Sequence, residues 1–165
     1  MATKKINVKD LPKRLSKKDK KKQLAMLQKS RKLYKLNKFF TRKPVKSYKS
    51  KPSTFVKKAS TFYNVQSIGA TKELAKKSGC TIQSLEKIIR KGQGAYYSSG
   101  SRPNQTPQSW AIARLASALT NGKAGAVDYD ILIKGCKKGS KGYNSAKKAR
   151  KTFGKSYRKV PKINI

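Results

Sequence analysis

Apolar residues recur at helical intervals along most of this chain, and no sustained alternation of apolar and polar residues is visible. The pattern predicts a mostly α protein without a large sheet. A first helix begins after Ser16, which has capping-box spacing with Asp19, Asp standing in for the usual Glu. Leu24, Leu27 and Tyr34 then fall near one face, widened by Leu33 and Leu36, while the other faces are almost entirely Lys, Gln and Arg. A narrow apolar stripe on a cationic rod fits either a partner-docking helix or a membrane-surface helix. Docking is the better reading, because the stripe has few large aromatics to insert.

The pattern breaks over residues 36–55, LNKFFTRKPVKSYKSKPSTF, where Pro44 and Pro52 interrupt alternating basic, small and aromatic residues. This stretch is expected to be extended and to become ordered against another surface. Helical signals then return. Ser53 precedes a short helix over 54–63, with Phe55, Val56, Ala59, Phe62 and Tyr63 as its buried positions. ATKELAKKSG reads as a helix stopped by Gly79, and Thr81 caps a second, TIQSLEKIIRK, ended by Gly92. Thr106 followed by Pro107 starts another through Trp110, Leu115 and Leu119, closed by Asn121-Gly122. A short helix over Val127 to Ile133 stops at Gly135. The remainder reads as a mobile basic tail with one helical turn near Ser145 to Thr152.

Charge divides the chain more sharply than hydropathy does. The 43 Lys and Arg face 6 Asp and Glu, for a formal net charge of +37 over 165 residues. Residues 1–60 hold 22 of the basic residues, residues 61–135 hold 10, and residues 136–165 hold 11 with no acid. The organisation predicted is a basic N-terminal arm (1–60), a small helical module (61–135) and a basic C-terminal tail (136–165). Such self-repulsion disfavours a compact state unless a polyanion is close, so the arms are expected to be ordered only within an assembly. No apolar run is long enough to span a bilayer, and no apolar stretch follows the basic N-terminus, so neither a transmembrane segment nor a secretory signal is expected. A reducing, intracellular setting follows. Cys80 and Cys136 could pair, but the sequence leaves their state open, and without His they cannot close a zinc site unaided.

Two segments could carry binding chemistry. In residues 71–91, Leu74, Ala75, Gly79, Leu85 and Ile88 have helix-turn-helix spacing. Gln83, Ser84, Lys87, Arg90 and Lys91 would then meet DNA, Gln83 reading adenine and the cations meeting phosphate or guanine. A plain helical hairpin satisfies the same spacing equally well. In residues 92–119, Ser101, Arg102 and Thr106 lie just before a helix N-terminus, where an anion could be held. Hydroxyls that merely brace a long loop are the slightly favoured reading there. In the arm, Phe39, Phe40, Arg42, Lys43 and Tyr48 are the contacts expected to stack on bases or to fill a protein groove.

Catalysis finds little support. The chain has no His to act as a base near neutral pH, and its acids form no recognisable pair. Ser98, Ser101 and Cys80 lack an identifiable activating partner, and a metal at Asp128 or Asp130 is an outside possibility. No cofactor, metal or small-molecule substrate is expected.

The stretches KRLSKKDKKKQLAMLQKSRKLYK, TRKPVKSYKSKPSTFVKKA and KGQGAYYSSGSRPNQTPQSWAIARLASALTNGKAGAVDYDIL resemble an uncharacterised basic domain family of large double-stranded DNA viruses, with related stretches in tailed phages. The GAYYSSGSRPNQTPQSW segment is the distinctive part. The likeness covers most of residues 14–133 and leaves out the final 30. It implies no activity and transfers no site residue. It does imply a virion setting: a minor capsid or cement protein, or a genome-associated core protein, in the particle and in the host nucleus or cytoplasm during assembly. Its partners would be capsid or core proteins, with double-stranded DNA possible. The alternative is a helix-turn-helix protein that reads or packages viral DNA.

Overall fold

The computed structural model describes residues 5–155 and 161–164. It contains eight α-helices among those residues: α1 (Lys17–Lys35), α2 (Thr54–Tyr63), α3 (Lys72–Ser78), α4 (Ile82–Ser98), α5 (Pro107–Leu119), α6 (Lys123–Val127), α7 (Tyr129–Gly135) and α8 (Lys141–Phe153). Two short strands, β1 (Lys5–Asn7) and β2 (Lys162–Asn164), pair antiparallel with Ile6 opposite Ile163. The protein is mostly helical, as its periodicity predicts. No helix among the described residues is long and apolar enough to cross a membrane.

Hydroxyl caps set several helix starts. Ser16 Oγ accepts the Asp19 N–H at 3.1 Å, Thr71 Oγ1 that of Leu74 at 3.2 Å, Thr106 Oγ1 that of Ser109 at 3.0 Å and Ser140 Oγ that of Tyr143 at 3.3 Å. Ser53 precedes α2 but its side chain makes no such bond. At the other end of α3, Gly79 adopts the left-handed conformation (φ 76°) that lets the chain turn into α4.

The chain divides into two compact units. One comprises residues 1–51, 93–110 and 158–165, the other residues 52–92 and 111–157. The boundaries fall inside α4 and α5, so neither unit is a continuous segment. In the first unit Ile6, Leu11, Leu15, Met26, Leu27, Val45 and Tyr48 form the core, with Leu24, Phe40 and Ile163 against it. In the second, Leu74, Leu85, Ile88, Leu115, Leu119 and Leu132 are completely buried together with small residues from α5 and α8.

Several expectations are corrected. Helix α4 does not stop at Gly92. A Cβ there would stand 2.7 Å from the Cα of Ala111, so this glycine permits close contact of α4 with α5 and remains helical. The expected helix over 127–133 is instead two, α6 and α7, meeting at Asp128. The basic tail contains the 13-residue helix α8, which buries Gly142, Ser145, Ala146 and Ala149. These small residues at helical spacing form a packing face that Lys-rich composition conceals. Cys80 and Cys136, whose state the sequence leaves open, are joined in a disulfide. Around it the Thr81 N–H donates to Gly135 O at 2.8 Å and the Lys137 N–H to Gly79 O at 2.7 Å. The cysteines thus occupy the non-hydrogen-bonded position of an antiparallel bridge, where opposing side chains come closest.

Candidate polyanion-binding surface

The placement of the six acids decides the character of the surface. Asp10, Asp19 and Asp128 are buried. Asp19 Oδ2 accepts the N–H and Oγ–H of Ser47, at 2.7 and 2.6 Å, and these bonds hold its carboxyl below the ordinary range. Asp128 receives both arms of Arg114, at 2.8 and 2.7 Å, and the Lys91 ammonium at 3.2 Å. Glu73 and Glu86 pair along their own helices with Lys77 and Arg90. Asp130 stands exposed. Most of the 43 cations therefore face outward with few anions among them, notably along α1 (Lys17, Lys18, Lys21) and α8 (Lys147, Lys148, Lys151).

Asp10 is the exception in chemistry. Completely buried, its two carboxylate oxygens have no hydrogen-bond partner among the described residues. Burial pushes its pKa from 3.8 to about 6, against the opposing pull of Lys9, Arg42 and Arg31.

The expected arm contacts separate into two groups. Arg42 is buried, donating to Ser30 Oγ, Tyr96 O and Ser101 Oγ, each at 2.9 Å, with its guanidinium 3.7 Å from the centre of the Tyr96 ring. Its pKa is lowered by that burial. Tyr48 is buried too, with Arg14 over its ring at 4.6 Å. Asn104 holds this stretch in place. Its amide donates to Val45 O and Tyr48 O, and its carbonyl accepts the Val45 N–H. The stretch over 36–55 thus finds packing partners within its own chain. Phe39 and Lys43 remain exposed, and Phe40 is half-buried beneath Lys29 at 4.5 Å.

In the expected anion loop, Ser101 receives Arg42 and donates to Arg102 O, while Thr106 caps α5. Both hydroxyls serve the fold, and Arg102 alone of the three is exposed without that duty.

The helix-turn-helix candidates lie on α4. Gln83, Lys87 and Arg90 are exposed, and Lys91 is tied to Asp128. Ser84 is buried, its hydroxyl donating to Thr81 O at 2.7 Å, in tight contact with Gly135. A groove of about 370 Å³ separates Gln83 and Lys87 on α4 from Asp130 and Lys134 on α7. At one end of the groove Gly135 of α7 packs on Ser84, in the turn of α4 that a recognition helix presents to base edges. The sequence offers Asp130 only as a metal ligand and does not single out Lys134, because nothing local links α7 to α4. The Tyr34–Tyr97 ring pair, stacked with centroids 6.2 Å apart, was equally hidden.

The family model of a family of unknown function, DUF5824, matches residues 12–134. The chain belongs to that family. The DUF5824 match takes in α1 to α6 and nearly all of α7, and stops short of α8 and β2. No curated protein and no solved structure matches the chain.

Proposed function

We propose that this DUF5824 member is a virion structural protein of a large double-stranded DNA virus, a minor capsid, cement or genome-associated core component that grips acidic surfaces. The observation that carries this reading is the segregation of charge. Three of six acids are buried, two more are paired along their helices, and the cations are left facing outward. Such a surface attracts polyanions and weakens its own compact state until one arrives. The viral setting rests on the likeness of GAYYSSGSRPNQTPQSW and its neighbours to a viral domain family. The reading requires no catalysis, cofactor or small-molecule substrate. Both oxygens of Asp128 are occupied by Arg114 and Lys91.

Mass spectrometry of purified, crosslinked particles tests the proposal. Many copies per particle, crosslinked to shell proteins or to genome, are expected. Absence from the particle would refute it.

A second reading, duplex recognition through α3 and α4, draws on the exposed Gln83 and Lys87 and on the tight Gly79 turn. It ranks lower because Ser84 is buried against Gly135 and Lys91 is tied to Asp128. Site selection from random duplexes separates the two. A preferred site that is lost on replacing Gln83 and Lys87 by Ala, with bulk binding kept, supports base readout. No preferred site removes it.

A further inference from the structure

A run of aromatic rings crosses the first unit, from a locked interior ring to an exposed one. Tyr96 is buried under the Arg42 guanidinium, and its hydroxyl accepts the Arg42 N–H at 2.8 Å. Tyr97 meets Tyr96 edge-on, with centroids 5.2 Å apart at 90°. Tyr97 also lies parallel to Tyr34, within 10°, and 5.1 Å from Phe39. Phe39 is 66% exposed.

The end of α1 places that last ring. The Lys38 N–H donates to Leu33 O at 2.9 Å and the Asn37 N–H to Tyr34 O at 3.0 Å, with Asn37 left-handed at φ 56°. This is a Schellman turn with Asn in the usual glycine position. It reverses the chain and brings Phe39 within 6.2 Å of the Tyr34 ring. Lys35 and Lys38, beside these rings in sequence, are exposed. The unit's only two acids, Asp10 and Asp19, are both buried, so its surface presents rings and cations and no carboxylate side chain.

We propose that Phe39, Tyr34 and Tyr97 form a stacking platform for the bases of single-stranded nucleic acid, with Lys35 and Lys38 meeting its phosphates. An exposed Phe39 ring, backed by the half-buried Tyr34 and Tyr97 and flanked by cations, matches a polymer that alternates planar bases with negative charges. In a duplex the base faces are already stacked on one another, so the platform selects single strands. An acidic protein surface would match the cations but not the rings. The platform binds without strong sequence preference, because every base has a face to offer. The inference rests on the polyanion-binding reading and adds to it a strand preference and a place.

Fluorescence anisotropy with the full chain tests it, using a labelled oligothymidylate of about 20 nucleotides and a duplex of the same length, with inorganic polyphosphate as a base-free competitor. Phe39→Ala is expected to weaken oligothymidylate binding about tenfold, on the scale of one lost stacking contact. Duplex and polyphosphate binding should stay as in the parent. Phe39→Trp should retain the single-strand affinity, whereas Phe39→Leu, which keeps apolar area without a ring, should lose it. If Phe39→Ala leaves all three affinities unchanged, or lowers them equally, the platform is wrong and polyanion binding stands. If the parent binds none of the three, both readings fall.

Discussion

In the unit made of residues 52–92 and 111–157, Leu74, Leu85, Ile88, Leu115, Leu119 and Leu132 disappear completely from solvent, and the Cys80–Cys136 bond ties together chain 56 residues apart. Its buried Tyr63 donates to Leu119 O at 2.6 Å, and its buried Asp128 is met by the partly exposed Arg114 and Lys91 from the rim. The unit containing α1 is built differently. Beside a smaller apolar cluster it buries Arg42, Asp10 and the side chain of Gln23, which donates to Asp10 O at 3.2 Å. One unit is held by area removed from water and a covalent tie. The other depends on a buried cation whose hydrogen bonds must all be made. In so basic a chain, that difference shows how a positive charge can serve as an internal fastening when carbonyls, hydroxyls and a ring surround it.

The largest expected break in the comparison comes from the disulfide. Closing a loop of that length contributes about 4 kcal/mol through the unfolded chain. Cys136→Ser, or reduction, should therefore speed hydrogen exchange of α8 amides and leave those of α1 unchanged. Equal loss in both helices would show that the units do not differ in this way.

Asp10 gives the next effect, confined to the other unit. Its folded pKa of about 6 exceeds the ordinary 3.8, so the folded state binds the proton more tightly. Stability should then fall as pH rises from about 4 to about 7, by roughly 3 kcal/mol in all. The profile of α1 amide exchange against pH should show this slope. In Asp10→Asn the slope should vanish and stability near neutral pH should rise. A parent profile that climbs across this window would contradict the assignment.

Arg42→Lys sharpens the contrast with the smallest expected change, about 2 kcal/mol. A single ammonium cannot reproduce the planar fork that reaches Ser30, Tyr96 and Ser101 together. Trp110 belongs to the same unit, with Lys9 over its ring at 5.1 Å, and its fluorescence should report the loss during denaturant unfolding. Unchanged unfolding would mean that the fork contributes nothing.

Local signals were readable without the structure. Ser16, Thr81 and Thr106 mark helix starts because a hydroxyl cap acts within three residues, and Gly79 marks a stop because its φ is a property of one residue. What escaped depends on distant chain. Gly92 reads as a terminator until Ala111 lies against it. Helix α8 reads as tail until its small residues meet a core. Arg42 reads as a surface cation until Ser30, Tyr96 and Ser101, up to 59 residues away, converge on it. The candidate surface follows the same division. The excess of cations is plain from composition, whereas the burial of Asp10, Asp19 and Asp128, which leaves them unopposed, is a product of folding.

The central claim is that outward-facing cations engage a polyanion, and the salt dependence of nucleic-acid binding tests it most directly. Filter binding of the full chain at several salt levels should give a straight fall in log affinity against log salt, with a slope of about −0.9 for each duplex phosphate engaged and about −0.7 for each single-strand phosphate. Affinity that does not change with salt would contradict the account.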